Sequence, residues 1–161
     1  MAISLRHAQL PQDEPAILSF IHGLQDHEAA FEANRRRDTE FALEYWRDLK
    51  DRYTEHNGIM LIAEKDGQPV GWALAHDSRG EAFVIEAERL HGLLTELYVI
   101  PDARGKGLGR ALIQGCEDWA RARGHKLLMI GVATQNAGAI RSYQGAGYSP
   151  YGMLMRRYLT P

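Results

Sequence analysis

Apolar and polar residues alternate at the start of the chain and then change to a helical period. The stretch from Ile3 to Arg6 alternates, which predicts a short strand. After Pro11, apolar residues recur three and four positions apart as far as Leu24, which predicts a helix. The same spacing returns from Thr39 to Tyr53 and predicts a second helix.

The period changes to that of strands after Gly58. Two apolar runs, Ile59 to Glu64 and Val70 to His76, are joined by Asp66-Gly67-Gln68. An Asp-Gly pair between apolar runs is a strong signal for a hairpin. Pro69 falls at the start of the second run, where a missing N–H group is tolerated. The pattern therefore predicts two antiparallel strands.

The rest of the chain alternates strands with helices around a glycine-rich turn. The apolar run from Leu93 to Ile100 predicts a central strand, and Leu108 to Ala122 predicts a helix with one apolar face. Further predictions are a buried strand at Lys126–Val132, a helix at Asn136–Gly145, a closing strand at Tyr148–Tyr158 and a short strand at Ala82–Ile85. Leaving that short strand aside, the order β-α-α-β-β-β-α-β-α-β predicts one mixed α/β domain over residues 1–161.

Length, charge and cysteine content exclude several classes of protein. The chain has 161 residues and a net charge of −2, so it lacks the basic character of most nucleic-acid binders. No run reaches the ~20 apolar residues that a bilayer requires, and the N-terminus lacks the pattern of a signal peptide. Cys116 is the single cysteine, so no intrachain disulfide can form. We expect a cytoplasmic protein that binds neither nucleic acid nor membrane.

The segment Arg104-Gly105-Lys106-Gly107-Leu108-Gly109 lies between a predicted strand and a predicted helix. A helix N-terminus presents unpaired N–H groups and a partial positive charge to an anion. Glycines let the backbone approach a phosphate closely, and Arg104, Lys106 and Arg110 add positive charge. The segment therefore predicts a pyrophosphate site, with a flexible turn as the alternative. It matches neither GxxxxGK[ST] nor GxGxxG, which disfavours ATP and NAD.

Two motifs resemble the GNAT superfamily of N-acetyltransferases. Arg104-x-x-Gly107-x-Gly109 matches the family's [RQ]xxGx[GA] signature, and Leu97-Tyr98-Val99-Ile100-Pro101 before it is typical of the family. A second block, running from Asn136 through Tyr143 to Gly147-Tyr148, is similar to the family's "N…A…Y…GY" segment. The resemblance is strong over residues 58–150 and looser in the N-terminal third.

The resemblance implies a GNAT fold and acetyl-CoA as the acetyl donor. The implied sheet is mixed, mostly antiparallel and twisted, with six or seven strands that splay between the fourth and fifth, a bulge in the fourth, and about four flanking helices. The acetyl-CoA-binding residues implied by the resemblance are Leu97, Tyr98, Val99, Arg104, Gly105, Lys106, Gly107, Leu108, Gly109, Arg110, Asn136, Ala139 and Tyr143.

Two residues are candidates for proton transfer. Glu96 interrupts an apolar run, and a carboxylate there needs a reason, so it is the leading base for a protonated amine. A Glu on the opposite face of the strand, with a chain of waters as the base, is the alternative. Tyr143 aligns with the family's tyrosine acid, and ring packing on the sheet is its alternative. Asn136 contacts the cofactor, caps its helix, or does both.

Other candidate chemistries are disfavoured. Cys116 lies on an apolar helix face, so an acetyl-cysteine intermediate is not expected. We expect direct transfer in a ternary complex instead. His22 and His27 lack a third convergent ligand, so no metal site is predicted.

The acceptor is predicted from acidic residues near the end of the first helix. Asp26, Glu28 and Glu32 suit a small cationic amine, with a solvated helix end as the alternative. Phe20 to Glu28 weakly resembles the diamine and thialysine acetyltransferase branch, although His27 stands in place of that branch's tyrosine. Arg35 to Arg37 are interpreted as a solvated basic face. An acetylase of protein lysines or N-termini and a non-catalytic acetyl-CoA-binding module stay open as alternatives, and family resemblance implies a homodimer.

Overall fold

A computed structural model describes residues 3–159. Its strands are β1 (Ile3–His7), β2 (Ile59–Lys65), β3 (Gln68–Arg79), β4 (Leu90–Val99) and β5 (Leu128–Ile130). Its helices are α1 (Glu14–Glu28), α2 (Thr39–Glu55), α3 (Glu86–Arg89), α4 (Leu108–Ala122) and α5 (Ala137–Gly145), with a 3₁₀ turn at Pro101–Ala103.

The five described strands form one sheet in the order β1-β2-β3-β4-β5. The first three pairs are antiparallel and β4 pairs with β5 in parallel, so the sheet is mixed. The hairpin between β2 and β3 turns at Asp66 and Gly67, whose φ angles are 50° and 76°. Positive φ at both positions is what the predicted Asp-Gly hairpin turn requires, and the hairpin prediction is confirmed.

Apolar clusters cover both faces of the sheet. One cluster joins α4 to the sheet through residues such as Leu94, Val99 and Leu112. The other joins α1 and α2 to the opposite face through residues such as Ile17 and Tyr98. Strands that are covered on both faces are expected to be almost wholly apolar. A polar side chain within them therefore needs a specific partner.

Two predicted strands are wrong. Residues 82–85 precede the short helix α3, and the side chain of Phe83 is 86% exposed. Residues 148–159 form no strand, and Leu154 is 99% exposed. Both segments have apolar, strand-forming residues, but neither pairs with a strand of the described sheet. The sheet over residues 3–159 therefore has five strands instead of six or seven, and it is mixed.

The fifth strand is also shorter than predicted. The sequence pattern covers Lys126–Val132, whereas β5 covers only Leu128–Ile130 and is half-buried. Among the described strands it pairs with β4 alone, and their pairing ends at Leu94 and Ile130. Since a strand is maintained by its hydrogen-bonded neighbour, the chain leaves the strand conformation where β4 and β5 part. Within residues 3–159, no helix combines the length and apolar character needed to span a bilayer.

Candidate active site

The sheet opens between β4 and β5. In the pairing of β4 with β5, Gly92 lies opposite Leu128 and Leu94 lies opposite Ile130, and the pairing ends there. Strand β4 continues as far as Val99, so its second half has a neighbour only on the β3 side. The resemblance to the family implied this splay between the fourth and fifth strands.

The backbone of β4 presents polar groups to this opening. Ile100 continues the register of β4 opposite Val70 and donates its N–H to the Val70 carbonyl at 2.9 Å. In an antiparallel pair, residues that bond to the partner strand alternate with residues that do not. Leu97 and Val99 therefore direct their N–H and C=O groups away from β3 and towards the opening. This is the segment expected to pair with a pantetheine arm.

A bulge at Thr95 decides which face of the sheet receives Glu96. Leu94 lies opposite Ala75 and Glu96 lies opposite Leu74, so Thr95 has no partner of its own on β3. Side chains alternate between faces along a strand, and one extra residue reverses the alternation. Leu94 packs in the α4 cluster, whereas Leu74, opposite Glu96, packs in the α1/α2 cluster. The bulge therefore turns the Glu96 carboxyl towards α1 and α2.

Glu96 is buried there with one phenol as its partner. Its side chain is 2% exposed, and the Tyr45 hydroxyl of α2 donates to its Oε1 at 2.5 Å. Burial raises the pKa of Glu96 to about 7, although the Tyr45 hydrogen bond acts to lower it. Burial and the Glu96 charge raise the pKa of Tyr45 well above its usual range, so the phenol stays a donor. Near neutral pH the carboxyl can therefore both take up and release a proton.

A cavity of 340 Å³ lies beside Glu96. Its charged lining residues are Glu28, Glu32, Arg35 and Glu96. Other lining residues come from α1, α2, the bulge and the chain after β5: Ile21, Leu24, Gln25, Phe41, Tyr45, Thr95, Gly131, Val132 and Ala133. The cavity thus joins the acidic end of α1 to the point where β4 and β5 part.

Three carboxyl groups face one guanidinium in this cavity. Arg35 bonds to Glu28 at 2.8 Å and to Glu32 at 2.5 Å. Burial raises the pKa of Glu28, and the charge of Arg35 partly offsets this rise. With Glu96 ionised, the four groups carry an excess of negative charge, which favours a cationic ligand.

The glycine-rich turn leaves its backbone donors open. Gly105 and Gly107 have φ angles of 73° and 80°, and Gly107 precedes the first turn of α4. An added Cβ atom would meet no atom within 4 Å at Gly105, Gly107 or Gly109. Among the described residues, no acceptor bonds to the backbone N–H groups of residues 105–110. The turn thus has both the space and the donors that a phosphate group requires.

The three cationic residues of this turn differ in their roles. Arg104 points back to the sheet, where its Nε donates to the Val99 carbonyl at 2.8 Å and its guanidinium lies 5.5 Å from the Tyr98 ring centre. It therefore holds the turn against the end of β4. Lys106 donates to the Asp102 carbonyl at 3.3 Å from an exposed position, and Arg110 is exposed in the first turn of α4.

Helix α5 carries the second predicted motif. The Asn136 side chain accepts a hydrogen bond from the Ala139 N–H at 3.0 Å and so caps the helix. Tyr143 is half-buried against the α4 cluster, and its ring lies 6.3 Å from that of Tyr148. Burial raises the pKa of Tyr143 to about 12, and the charge of Glu28 adds to this effect. The phenol thus stays protonated, and it is close enough to the cavity for the charge of Glu28 to affect its pKa.

The structure gathers most of the predicted acceptor residues but not all of them. Glu28 and Glu96 line the cavity, whereas Asp26 is exposed and paired with Arg37 at 2.8 Å outside it. The interpretation of Arg35 as part of a solvated face is wrong, since it bridges two carboxylates within the cavity.

Tyr45 is the functional candidate that the sequence did not indicate. Its helical spacing with Phe41 and Leu49 predicted a core residue. Its ring stacks on that of Phe41 with ring centres 5.7 Å apart, and its hydroxyl donates a hydrogen bond to Glu96. Within residues 3–159, no group of three or more His, Cys, Asp or Glu side chains is arranged to hold a metal ion.

A family model described as "Acetyltransferase (GNAT) family" matches residues 21–148. Solved structures share the fold over nearly the whole chain. A GCN5-related N-acetyltransferase from Ralstonia eutropha JMP134 aligns with a TM-score of 0.77 at 18% identity, covering 99% of this chain and 100% of that one. An aminoglycoside antibiotic 6'-N-acetyltransferase from Acinetobacter haemolyticus aligns with a TM-score of 0.74 at 16% identity, covering 98% and 99%.

Curated relatives are similar over part of their length. An uncharacterised N-acetyltransferase of Bacillus subtilis is 31% identical over 100 residues, covering 62% of this chain and 64% of that protein. The L-methionine sulfoximine/L-methionine sulfone acetyltransferase of Salmonella typhimurium is 33% identical over 91 residues, covering 56% and 50%. A mycothiol acetyltransferase of Renibacterium salmoninarum is 29% identical over 153 residues, covering 91% and 40%. The matches thus span less than two thirds of each relative.

Proposed function

Because the chain belongs to the GNAT family of acetyltransferases and is therefore an acyltransferase, we propose that it transfers an acetyl group from acetyl-CoA to a small cationic amine. One observation carries this proposal: a buried carboxyl group with a pKa of about 7 lies in a cavity at the splay of the sheet. A protonated amine must lose a proton before it can attack a carbonyl carbon. Glu96 is suited to accept it.

The open donors of the glycine turn support acetyl-CoA as the donor. The free N–H groups of residues 105–110 fit its pyrophosphate, and the N–H groups of Leu97 and Val99 together with the Leu97 carbonyl fit its amide-containing arm. When bound, acetyl-CoA supplies a thioester carbonyl for attack. The Val99 N–H is then the candidate donor to the negative charge that develops on the carbonyl oxygen. Asn136 and Ala139 bond to each other, and any contact of theirs with the cofactor is part of the same proposal.

Tyr143 is the candidate acid for the departing thiolate. A phenol whose pKa is raised to about 12 stays protonated and can donate to the sulfur. Cys116 does not offer a covalent route, since it is buried and burial raises the pKa of its thiol to about 12. A thiol that stays protonated is a poor nucleophile. Direct attack by the amine in a ternary complex follows.

The excess of carboxyl groups in the cavity supports a cationic acceptor. Glu28, Glu32 and Glu96 face only Arg35, and a cavity of 340 Å³ suits a small molecule. The Salmonella relative is named for acetylating an amino-acid analogue, which supports an acceptor of similar size. The enclosed carboxylates favour such an amine over a protein chain.

The test is thiol release from acetyl-CoA in the presence of diamines, thialysine, lysine, aminoglycosides and a basic peptide. We expect turnover with at least one small amine and a loss of at least about 100-fold in kcat for Glu96→Gln. Tyr143→Phe should lower kcat while acetyl-CoA binding persists. Tyr148→Phe, which changes the neighbouring ring on the same cluster, should leave kcat near that of the wild type. Tight acetyl-CoA binding without turnover of any amine would instead support a non-catalytic binding module.

We also propose that the chain forms a homodimer through its C-terminal segment. Tyr151, Met153, Leu154, Met155 and Leu159 are largely exposed there, and clustered exposed apolar residues mark interaction surfaces. Light scattering should give twice the monomer mass, and Leu154→Lys should shift the equilibrium towards monomer. A monomeric wild-type protein at high concentration would overturn this proposal.

A further inference from the structure

A second cavity, of 390 Å³, lies where α2 ends, β3 ends and β4 begins. It is separate from the residues that line the cavity beside Glu96. Its lining residues are Arg52, His56, His76, Asp77, Ser78, Arg79, Leu90 and Leu93. Four of these eight are arginine or histidine. None of them has a role in the acetyl transfer described above.

Arg52 offers a guanidinium without a partner. The side chain is half-buried in the cavity wall, and among residues 3–159 it forms no hydrogen bond or ion pair. A guanidinium has five N–H donors in a planar arrangement that suits carboxylate and phosphate oxygens. The other arginine of the cavity, Arg79, is bonded to Glu86 at 3.0 Å. The unused positive charge at this site is therefore that of Arg52.

His76 offers a buried nitrogen without a partner. The residue is 6% exposed, and its Nδ1 lies 2.8 Å from the Asp77 carbonyl oxygen. A carbonyl oxygen only accepts hydrogen bonds, so Nδ1 carries a proton. The remaining nitrogen, Nε2, is buried and has no partner among the described residues. Burial lowers the pKa of His76, and the neighbouring charges of Arg52 and His56 add to that effect.

The carboxylate of Asp77 does not neutralise this cavity, because other residues already bond to both of its oxygens. Arg123 bonds to Oδ2 at 2.6 Å and Oδ1 at 2.8 Å, and His125 lies 2.8 Å from Oδ1. Asn57 donates to Oδ2 at 2.9 Å. Unpaired polar groups that face a cavity are normally satisfied by a ligand or by water. Here the guanidinium can be satisfied only by an anionic or accepting group, whereas Nε2 of the neutral His76 ring is an acceptor and donates to an anion only after the ring takes up a second proton.

The carboxyl end of α2 would by itself repel an anion. Several carbonyl groups at this end are, however, already hydrogen-bonded within the chain. The Arg52 carbonyl accepts from the His56 N–H at 3.1 Å, and the Tyr53 carbonyl accepts from the Gly58 N–H at 2.9 Å. The His56 carbonyl accepts from the Asp77 N–H at 2.8 Å. These hydrogen bonds weaken the partial negative charge of the helix end, whereas the Arg52 guanidinium carries a full positive charge.

We propose that this cavity binds an anionic group, a carboxylate or a phosphate, between the Arg52 guanidinium and the His76 imidazole. His76 takes up a proton when the anion binds and then donates from Nε2 to one oxygen, while Arg52 donates to the others. The group can belong to the amine acceptor or to a separate small anion. The charge of Arg52 acts on Glu96 and Tyr45, which line the other cavity, so the test includes both sources.

The test is a titration with inorganic phosphate and with malonate, followed through the imidazole ¹⁵N signals of His76. We expect a saturable shift that corresponds to protonation of Nε2, and about tenfold weaker binding in Arg52→Gln. Arg47→Gln is the matched control, because Arg47 is an exposed arginine on the same helix outside the cavity. Equal affinities in the two variants, or no saturable shift with either anion, would overturn the proposal.

Acceptor pairs that differ only by a carboxylate identify the source of the anion. A rise in KM confined to the carboxylate-bearing amine in Arg52→Gln assigns the site to the acceptor. Unchanged KM values for both amines, with phosphate binding lost, assign it to a separate anion. The phosphate titration requires no turnover, so it decides the proposal even where the acetyl transfer itself fails to appear.

Discussion

At the scale of single residues, the protonation of Glu96 is controlled by its burial and by one phenol. Burial holds the pKa of Glu96 at about 7, and the hydrogen bond from Tyr45 keeps it from rising further. Glu96 acts as a base only when ionised. In the proposed mechanism, the rate of transfer therefore depends on a contact between α2 and β4, two elements that are distant in the sequence.

We predict that kcat/KM rises with pH through about 7, because Glu96 loses its proton there. In Tyr45→Phe this rise should move to higher pH by roughly one unit, since a hydrogen bond to the ionised carboxylate is lost. Tyr53→Phe changes a half-buried tyrosine on the same helix and should leave the profile in place. Steady-state kinetics between pH 5.5 and 9, as an approximate window, provide the measurement. An unshifted profile in Tyr45→Phe would assign the base to another group.

The sequence indicates some of these residues and not others. Glu96 and Glu28 are candidates from the sequence because a carboxyl group in an apolar run and an acidic helix end are local features. The Tyr45 hydroxyl and the Glu96 carboxyl are 51 positions apart in the chain. A helix with regular apolar spacing predicts a buried Tyr45, but it does not predict what its hydroxyl contacts. The sequence predicts a solvated position for Arg35, because three consecutive arginines are typical of a solvated surface.

At the scale of elements, the turn before α4 is the proposed site for acetyl-CoA. Gly107 adopts a φ of 80°, which places the first N–H groups of α4 at an open surface. Gly124 has nearly the same backbone conformation, with a φ of 79° and open space around it, just after the end of α4. The two glycines provide a matched pair, one at each end of the same helix.

We predict that Gly107→Ala and Gly124→Ala each lower the free energy of unfolding by about 1 kcal/mol, because an alanine is strained at positive φ. Only Gly107→Ala should weaken acetyl-CoA binding, by about tenfold, since its Cβ and the strained turn disturb the phosphate-facing N–H groups. Calorimetric titration with acetyl-CoA and chemical unfolding of both variants measure the two effects. The same affinity for acetyl-CoA in the two variants would show that the turn does not bind acetyl-CoA.

Helix positions are better predicted than strand positions in this chain. The bounds predicted for α4, Leu108–Ala122, are those observed, because its apolar stripe repeats at 3.6 residues. The strands at 82–85 and 148–158 were predicted from local composition alone. A strand also requires a partner with free hydrogen-bonding groups, which no local pattern reveals. The same reason explains why β5 stops where β4 leaves it.

At the scale of the whole molecule, Asp77 links three separate parts of the chain. Its carboxylate bonds to Asn57 before β2 and to Arg123 and His125 after α4. Burial opposes ionisation of Asp77, but the hydrogen bonds from these partners outweigh it and lower its pKa to about 2. The folded state therefore holds the ionised form more strongly than the unfolded chain does.

We predict that Asp77→Asn lowers the free energy of unfolding by about 2 kcal/mol at pH 7. A lowered pKa gives stability that is present above the unfolded value near 3.8 and is lost as pH falls towards 2. The difference between wild type and variant should therefore shrink across that window. Denaturant unfolding at several pH values measures it, with Asp26→Asn, an exposed carboxylate paired with Arg37, as the control. A difference that stays constant down to pH 2.5, roughly the middle of the window, would contradict the prediction.

The alternation of bonded and unbonded residues along the end of β4 also has a kinetic consequence. The Ile100 amide donates to Val70, whereas those of Leu97 and Val99 face the opening of the sheet. In deuterated water, the amide protons of Leu97 and Val99 should exchange quickly although both residues lie in the sheet. The amide protons of Tyr98 and Ile100, which are bonded to β3, should exchange slowly. Addition of acetyl-CoA should slow Leu97 and Val99 alone. Hydrogen exchange at these four neighbouring positions would thus record occupancy of the donor site without any measurement of catalysis.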